Sequence, residues 1–465
     1  MVSERIEHDS LGQVKVPGEH YYGAQTVRSL DNFAIGTELI PLDVIYALAL
    51  VKKTAALANK SLGLLQVDKA NLIVKVADEI ILGKWDTEFP LKVWQTGSGT
   101  QTNMNVNEVI ANRAAALMKK PLGQHRPLHP NDDVNKSQSS NDVFPTAMHI
   151  ATVEALHRDL IPDVTALRNT FVTHSKSFEK ILKTGRTHLM DAVPLTLGQE
   201  FSGYAQQLSS RLERVFATLP RLYEIPLGGT AVGTGLNTHP KFAQTAVTLI
   251  KDFTNKPYVA SRNKFEAMSA HDALVEVHAC LKGLAVALIK IANDIRWMAS
   301  GPRCGLGEIQ IPVNEPGSSI MPGKVNPTQC EALIMAATQV MGNDVTVSLA
   351  GASGNFELNV CKPVIIYNVL QSIRLLSDSC RSFNEKCISG IAPNRVQLDE
   401  NIRKTLMLAT ALTPKIGYDN AADAVQKAYQ KNIPLKQAVV DSGYLKAEEF
   451  DALIKPGNLT KPQLS

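Results

Sequence analysis

Apolar residues recur at three- and four-residue steps over most of this chain, which is the spacing of one face of a helix. The pattern predicts helices over residues 43–59, 103–119, 196–219, 265–299, 327–351 and 364–387. The helix predicted over 265–299 is apolar on nearly every side, so it needs neighbours all round. We therefore expect a mainly α fold with a long central helical bundle that oligomerisation completes.

Glycine and proline gather between the predicted helices, at residues 97–99, 121–130, 228–235 and 301–323. These stretches predict loops, and the residues with chemical potential lie in them. Strand signals are few and short. We expect three domains: an N-terminal mixed or helical domain over 1–138, a long-helix bundle over 139–395, and a small C-terminal helical domain over 396–465.

Composition favours an enzyme with a large buried core. The chain has 465 residues, 44% of them hydrophobic, and a net charge of only +4, which does not favour nucleic acid or a membrane surface as a partner. The six cysteines show no zinc spacing, and the first residues, MVSERIEHDSLG, show no apolar leader. We expect reduced thiols and a cytoplasmic location.

The segment Gly317-Ser-Ser-Ile-Met-Pro-Gly-Lys-Val-Asn-Pro327 carries the strongest chemical signal. Asn326 is predicted to cap the helix that follows, with Pro327 at its first position and Gln329 closing a capping box. The loop would then end on a helix N-terminus, where free N–H groups and Lys324 favour an anion. A small carboxylate fits this site.

Two further polar loops precede predicted helices. Trp94-Gln-Thr-Gly-Ser-Gly-Thr-Gln-Thr-Asn103 and Ser139-Ser-Asn-Asp142 offer hydroxyls and amides. Each loop by itself is more typical of a helix cap than of a ligand site. A third cluster, Gly185-Arg-Thr-His-Leu-Met-Asp-Ala192, places His188 in a loop between helical segments, where an imidazole can exchange a proton near neutral pH.

These motifs together resemble the fumarase/aspartase superfamily in order, spacing and wording, over nearly the whole chain. Gly323 is typical of the fumarase branch, whereas aspartate ammonia-lyases usually carry alanine there. The resemblance implies the fold of that superfamily and a reversible, metal-independent hydration of fumarate to (S)-malate, a step of the tricarboxylic acid cycle. No cofactor is expected, since no cysteine trio or dinucleotide fingerprint is present.

The resemblance also implies roles for individual residues. Ser318 would be the base that removes the carbon proton, and His188, backed by Glu331, would move protons on the water side. The substrate would be held by Ser98, Gly99, Thr100, Ser139, Ser140, Asn141, Thr187, Ser319, Lys324, Val325 and Asn326. In the family each site of a homotetramer is shared between subunits.

The loop around Arg126 implies a second carboxylate site. In class II fumarases the matching segment binds a carboxylate away from the active site, and its counterparts here are Arg126, His129, Pro130, Asn131 and Asp132. Position 133 is Asp, where many fumarases have His. At this position the chain departs from the pattern of the family, since aspartate is typical of aspartases.

Three alternatives remain open at this point. Aspartate ammonia-lyase shares the fold and most of the loop, and ammonia release from aspartate would identify it. A non-enzymatic scaffold of the lens-protein type should have lost a catalytic residue, and none is missing here. A metal-dependent hydrolase could use His271 and His278, although their seven-residue spacing is accompanied by no carboxylate pattern.

Overall fold

Helices dominate the computed structural model, which describes residues 4–462. The mainly α fold predicted from the apolar spacing is confirmed. In chain order the helices are α1 Ala24–Asn32, α2 Leu42–Ser61, α3 Val67–Ile81, α4 Thr100–Leu117, α5 Ser140–Ala155, α6 Ile161–Ser177, α7 Leu197–Leu222, α8 Phe242–Thr254, α9 Lys264–Ser269, α10 Asp272–Met298, α11 Thr328–Gly351, α12 Lys362–Lys386, α13 Arg395–Lys404, α14 Thr413–Ile416, α15 Tyr418–Lys431, α16 Leu435–Asp441 and α17 Ala447–Leu453.

The strands are short and join in pairs. They are β1 Glu4–Asp9, β2 Gly12–Pro17, β3 Leu182–Thr187, β4 Met190–Thr196, β5 Glu224–Ile225, β6 Val259–Ala260, β7 Ile309–Gln310, β8 Gly354–Asn355, β9 Leu358–Asn359 and β10 Ala392–Pro393. β1–β2, β3–β4, β7–β10 and β8–β9 are antiparallel, and β5–β6 is parallel. Each pair is too small to carry a core of its own.

One predicted helix is wrong in its extent. Residues 265–299 form α9 and α10, which are separated at Ala270 and His271. Ala270 has an extended backbone (φ −119°, ψ 147°) and its N–H closes α9 on the carbonyl of Glu266. The carbonyl of His271 then accepts the first bonds of α10 from Leu274 and Val275. The apolar spacing continues across this break, which is why periodicity did not reveal it.

The chain forms two compact units, each made of three separate segments. Unit 1 comprises residues 4–162, 213–285 and 336–377, and unit 2 comprises residues 163–212, 286–335 and 378–462. The division into three consecutive domains stays a prediction.

The core of unit 1 is built around α2. This helix packs against α3, α5 and α8, and its fully buried side chains include Leu48, Val51 and Ala55. Burial of such side chains contributes about 1.5–3 kcal/mol each for the larger ones. α2 therefore fixes the base from which the polar ends of α4 and α5 project.

In unit 2 the predicted site residues lie on a hairpin and in a long loop. The hairpin β3–β4 packs against α13, and the last helices enclose an apolar cluster that includes Leu412, Ala424, Val439 and Phe450. A group of aromatic rings at Phe171, Phe201 and Tyr204 packs α6 against α7. These contacts leave the hairpin tip and the loop before α11 at the surface.

Candidate active site

The loop before α4 is shaped by Gly99 in unit 1. Its φ of +78° is a left-handed conformation that favours glycine, and a Cβ there would lie 2.4 Å from the ring of Phe144. The hydroxyls of Ser98 and Thr100 lie 2.8 Å apart on either side of it. The predicted Ser98–Thr100 loop thus places two hydroxyls at the N-terminus of α4, where the helix dipole favours an anion.

Ser139 caps α5, as expected from the helix-cap interpretation of its motif. Its hydroxyl accepts the N–H of Asn141 at 3.2 Å, and its own N–H donates to the Asp142 carboxylate at 2.9 Å. This reciprocal pair is a capping box, which fixes the first turn of the helix. Capping and ligand binding are compatible here, because Ser140 and Asn141 are only half-buried.

A buried lysine connects the two loops. Lys52 on α2 donates to Asn103 Oδ1 at 2.6 Å, to Asn135 Oδ1 at 2.9 Å and to Gln138 Oε1 at 2.9 Å. Asn103 in turn donates to the Ser140 hydroxyl at 3.3 Å. Because the ammonium is fully buried, its pKa falls to about 7, with Asp142 opposing the shift.

Asp142 joins the α5 loop to a second glycine-rich turn. Its Oδ2 accepts the N–H groups of Gly228 at 2.8 Å and Thr230 at 3.0 Å, and Asn141 donates to the carbonyl of Ala231 at 2.8 Å. The carboxylate is fully buried, and burial raises its pKa to about 6. Three loops of unit 1 are therefore held in one polar network.

The loop 317–326 of unit 2 closes on itself. Gly317 N–H donates to the carbonyl of Lys324 at 2.8 Å, and the Lys324 ammonium donates to Asn326 Oδ1 at 2.6 Å. Gly323 turns the chain with a φ of +76°. The ammonium and the amide are thus held side by side at an exposed position, which suits a carboxylate ligand.

The predicted cap of α11 is wrong. The helix begins at Thr328, one residue later than expected, and the carbonyl of Pro327 accepts its first bonds from Cys330 and Glu331. The Asn326 amide donates back to Gly317 instead, and the Gln329 side chain accepts from Ser382. Asn326 does not cap α11 because its side chain bonds to Gly317 and Lys324 within the loop.

The Ser318 hydroxyl lies in a small cage of backbone donors. Its oxygen accepts the N–H of Met321 at 3.0 Å and of Ile320 at 3.3 Å. Such donors favour the charged form of the group that they contact. Ser318 and Lys324 both line a cavity of about 450 Å³ within this loop.

His188 lies at the tip of the β3–β4 hairpin. Thr187 pairs with Met190, so the turn contains just two residues, His188 (φ +57°) and Leu189 (φ +63°). Positive φ at both positions defines a type I′ turn, which normally takes Asn and Gly. The prediction of a loop between helical segments is correct in place, but the loop is a tight turn between two strands.

An ion-pair network fixes the strand that leads to His188. Arg186 donates to Glu308 at 2.8 Å, Lys183 lies 3.4 Å from the same fully buried carboxylate, and Lys183 also pairs with Glu200. His188 lines a cavity of about 670 Å³ with several of these groups. The hairpin tip is therefore exposed but its base is anchored.

Within unit 2, His188 and Ser318 line different cavities. The cavity at His188 and the cavity at Ser318 share none of their lining residues. Glu331 is exposed on α11, and in the described part of the chain it makes no hydrogen bond to His188. The expected His188–Glu331 pairing is therefore absent within one chain.

The predicted secondary site forms a compact loop in unit 1. His129 Nδ1 accepts the N–H groups of Asn131 at 3.2 Å and Asp132 at 3.1 Å, and Pro130 is buried beneath them. Arg126 is exposed beside the ring pair His125–His129. The unusual Asp133 has a structural role: it accepts from the His129 N–H and pairs with Lys69 at 2.8 Å.

Two buried groups near the unit 1 loops were missed by sequence reasoning. Lys52 is a cation on the buried face of α2, and Lys362 is a cation at a helix N-terminus, where the dipole disfavours one. A lysine is unfavourable at each of these positions, and an unfavourable residue in the sequence is the signal that could have identified both.

The structure does not favour the metal-dependent alternative. His278 engages both ring nitrogens, with Asp344 Oδ1 at 3.1 Å and the Ser372 hydroxyl at 2.8 Å. Between residues 4 and 462 no three His, Cys, Asp or Glu side chains are grouped as a metal site requires. Over the same residues no helix is long and apolar enough to cross a membrane.

A helical scaffold with carboxylate-binding loops at helix N-termini is what a lyase of the fumarase/aspartase type requires. A family model described as "Lyase" matches residues 12–342, and one described as "Fumarase C C-terminus" matches residues 408–461. The chain is 58% identical to a class II fumarate hydratase of Nitrosomonas europaea, over 98% of this chain and 99% of that one.

Solved structures agree with these sequence relatives. A crystal structure of class II fumarase from Schistosoma mansoni superposes with a TM-score of 0.95 at 43% identity, over 98% of this chain and 99% of that chain. A fumarate lyase:delta crystallin from Brucella melitensis, bound to cobalt, gives a TM-score of 0.95 at 39% identity, over 99% of this chain and 100% of that chain. The chain belongs to the class II fumarate hydratase family of lyases.

Proposed function

We propose that this protein catalyses the reversible hydration of fumarate to (S)-malate, as a hydro-lyase of the tricarboxylic acid cycle. The observation that carries the proposal within the structure is the environment of Ser318. A serine hydroxyl is normally far too weak a base to take a proton from carbon. Here its oxygen accepts two backbone N–H groups within a loop that also holds a lysine, and both features favour the alkoxide.

Dehydration begins at the carbon next to a carboxylate. Ser318 Oγ takes the proton from C3 of malate, and the electron pair of that C–H bond moves into the adjacent carboxylate. The aci-carboxylate that results carries two negative charges on one group. Lys324, Asn326 and the N–H of Ser319 are the donors that would stabilise it, since they are already held in the loop.

The second half of the reaction breaks the C–O bond. The electron pair returns from the aci-carboxylate to form the double bond, and the hydroxyl at C2 leaves as water after accepting a proton. His188 is the group that we assign to this proton, because an imidazole can both donate and accept a proton and this one lies at an exposed turn in reach of solvent. Glu331 would orient the ring from another subunit.

The other loops would hold the second carboxylate of the substrate. The Ser98–Thr100 loop and the Ser139–Asn141 segment present hydroxyls and an amide at two helix N-termini, where the dipole favours an anion. Thr187 and Val325 are the remaining contacts that family resemblance implies. No metal is required in this scheme, since backbone and ammonium donors carry the charge.

A homotetramer with shared sites explains the separation of His188 from Ser318. Both regions expose apolar side chains that a partner would cover, with Leu189 72% and Ile320 83% exposed. On α11, Met341, Val345 and Leu349 are exposed at four-residue steps and form a single stripe. Association through such stripes would bring the loops of different chains together.

We further propose a cytoplasmic location, and a secondary carboxylate site at Arg126, His129, Pro130, Asn131 and Asp132. His129 Nδ1 accepts two N–H groups, so its Nε2 is the nitrogen available to donate to a ligand. Citrate-cycle dicarboxylates are the class of ligand to test there.

The direct test is the appearance of fumarate absorbance when purified protein is mixed with L-malate. We expect fumarate from L-malate and none from L-aspartate, at a rate that a chelator and air leave unchanged. Fumarate and ammonia from L-aspartate would instead identify an ammonia-lyase. Loss of activity with the chelator would contradict the metal-independent mechanism.

A further inference from the structure

Lys362 carries an unpartnered ammonium in the interior of unit 1. It is the first residue of α12 and is fully buried, and its Nζ has no hydrogen-bond partner among the residues that the structure describes. The equally buried Lys52 has three amide acceptors. A bare buried ammonium is costly, so its retention requires a compensating negative charge.

Lys362 lies directly behind the first substrate loop. Its backbone N–H donates to the carbonyl of Gly97 at 3.0 Å, one residue before Ser98. A Cβ placed on Gly97 would lie 1.3 Å from the carbonyl oxygen of Val360, so the two segments touch at the backbone. The start of α12 and the Ser98–Thr100 loop are therefore a single packed element.

Charges around Lys362 do not balance. Its pKa falls to about 7 through burial, while Asp142 opposes the fall. His271 also faces it, and burial together with Lys362 holds the pKa of that imidazole well below its usual range, so the ring is neutral. Asp142 is itself faced by Lys52 and Lys264. One carboxylate thus serves three ammonium groups.

Helix dipoles add to this excess. α4 and α12 have no acidic residue in their first turns, and Lys362 occupies the position on α12 where an acidic residue would be stabilising. The missing charge is therefore an anion at the loops that these helices support. Fumarate and malate are dianions that would supply it.

We propose that Lys362 is a positioning residue, whose buried ammonium supplies the positive potential with which the loops Ser98–Thr100 and Ser139–Asn141 hold one carboxylate of a dicarboxylate dianion. It acts through these loops, since its own ammonium is not exposed. The inference rests on the proposed function for the identity of the dianion. The same charge excess would favour any dicarboxylate of similar length.

The first experiment compares Lys362→Met with the wild-type protein. Methionine keeps the length of the side chain and removes the charge, so KM for L-malate should rise about 10- to 100-fold while kcat changes much less. In the wild-type protein, affinity for malate should weaken as pH rises through about 7, because Lys362 loses its proton; the variant should lack this limb. Lys53→Met, which removes a lysine paired with Asp78, is the matched control and should keep the wild-type KM.

A second experiment does not depend on the folding of that variant. Succinate, which cannot react, is titrated into wild-type protein at about pH 8 in buffers of different ionisation enthalpy. Binding should take up protons, because the dianion returns Lys362 to its charged form. The uptake should persist in Lys52→Met, which excludes the other buried lysine of these loops whose pKa falls to about 7.

The outcomes are distinct. Succinate binding without proton uptake in the wild-type protein would overturn the inference, as would an unchanged KM in a folded Lys362→Met protein. Failure of the wild-type protein to convert malate would overturn the proposed function instead. Succinate binding and its proton uptake are measured without turnover, so the two failures cannot be confused.

Discussion

Asn103 donates its side-chain amide to the hydroxyl of Ser140 at 3.3 Å, so the first turn of α4 contacts the first residue of α5. The same amide accepts from Lys52 through its oxygen at 2.6 Å. Two loops that are far apart in sequence are therefore oriented by one side chain, before any ligand binds. Such preorganisation is what stabilisation of a charged transition state requires.

Ser318→Ala should fold normally but lose about two to four orders of magnitude in kcat. The loop hydroxyl contributes little to a core, whereas it is the base in the proposed mechanism. Turnover of L-malate and thermal unfolding measure the two effects separately. Ser353→Ala removes an exposed hydroxyl that bonds to the Leu349 carbonyl, and should leave both unchanged. Near-wild-type turnover in Ser318→Ala would exclude this serine as the base.

Lys52 should make stability depend on pH in the neutral to alkaline range. Its pKa is about 7 in the folded protein against 10.5 as the reference value, so the unfolded chain binds more protons between these limits. The free energy of unfolding contributed by Lys52 therefore rises with pH over this window, by about 2 kcal/mol between about pH 7 and 9.

The free energies of unfolding of the wild-type protein and of Lys52→Met are measured with denaturant at several pH values. The difference between the two free energies should change with pH by this amount. Lys52→Met is destabilised at every pH because Asn103 Oδ1 and Gln138 Oε1 lose the donor that Lys52 supplies, but its stability should not show the same rise. Parallel pH profiles for the two proteins would show that Lys52 keeps its ordinary pKa.

Arg126→Ala and His129→Ala should leave the turnover of L-malate largely intact. Both residues belong to the proposed secondary site, and the Asp133–Lys69 ion pair and the bond from the backbone N–H of residue 129 to Asp133 remain in either variant. Only the effects of added carboxylates on the rate should change, as measured by initial rates with and without succinate. A collapse of turnover in either folded variant would place the loop in the main site.

His188→Asn and Ser318→Ala proteins should be nearly inactive alone and recover activity when unfolded together and reassembled. In a tetramer with shared sites, roughly a quarter of the sites in an equal mixture would receive an intact His188 from one parent and an intact Ser318 from the other. Asparagine tolerates a positive φ, so His188→Asn should keep the turn. Hybrid tetramers that mass spectrometry confirms, but that are no more active than their parents, would refute the shared site.

Periodicity predicted the helices well where burial alone decides them. The helix predicted over 43–59 is observed as Leu42–Ser61, because most of its apolar positions are buried in the core of unit 1. The break at Ala270 was missed, since both sides of it remain apolar. The hairpin β3–β4 was missed because its turn is His-Leu, which gives none of the sequence signal of a type I′ turn.

The site was predictable in its parts but not in its assembly. Family resemblance named the loops, and the structure shows how Asn103, Lys52 and Asp142 connect those of unit 1. Single-sequence reasoning cannot reveal these contacts, since each joins residues distant along the chain. Asn326 is an example. Its residue type and position predicted a helix cap, but its side chain donates to the carbonyl of Gly317 instead.

The positive φ angles of His188 and Leu189 also affect which stabilising mutations this protein can accept. Asparagine and glycine would relieve the turn, so mutations to these residues should be gained readily when heat resistance alone is selected. A substitution at His188 removes the imidazole that we assign to proton transfer. More stable variants that stay active must therefore carry their stabilising mutations outside this turn. The fraction of variants that keep His188 in a heat-selected library would measure the selection for activity at this position.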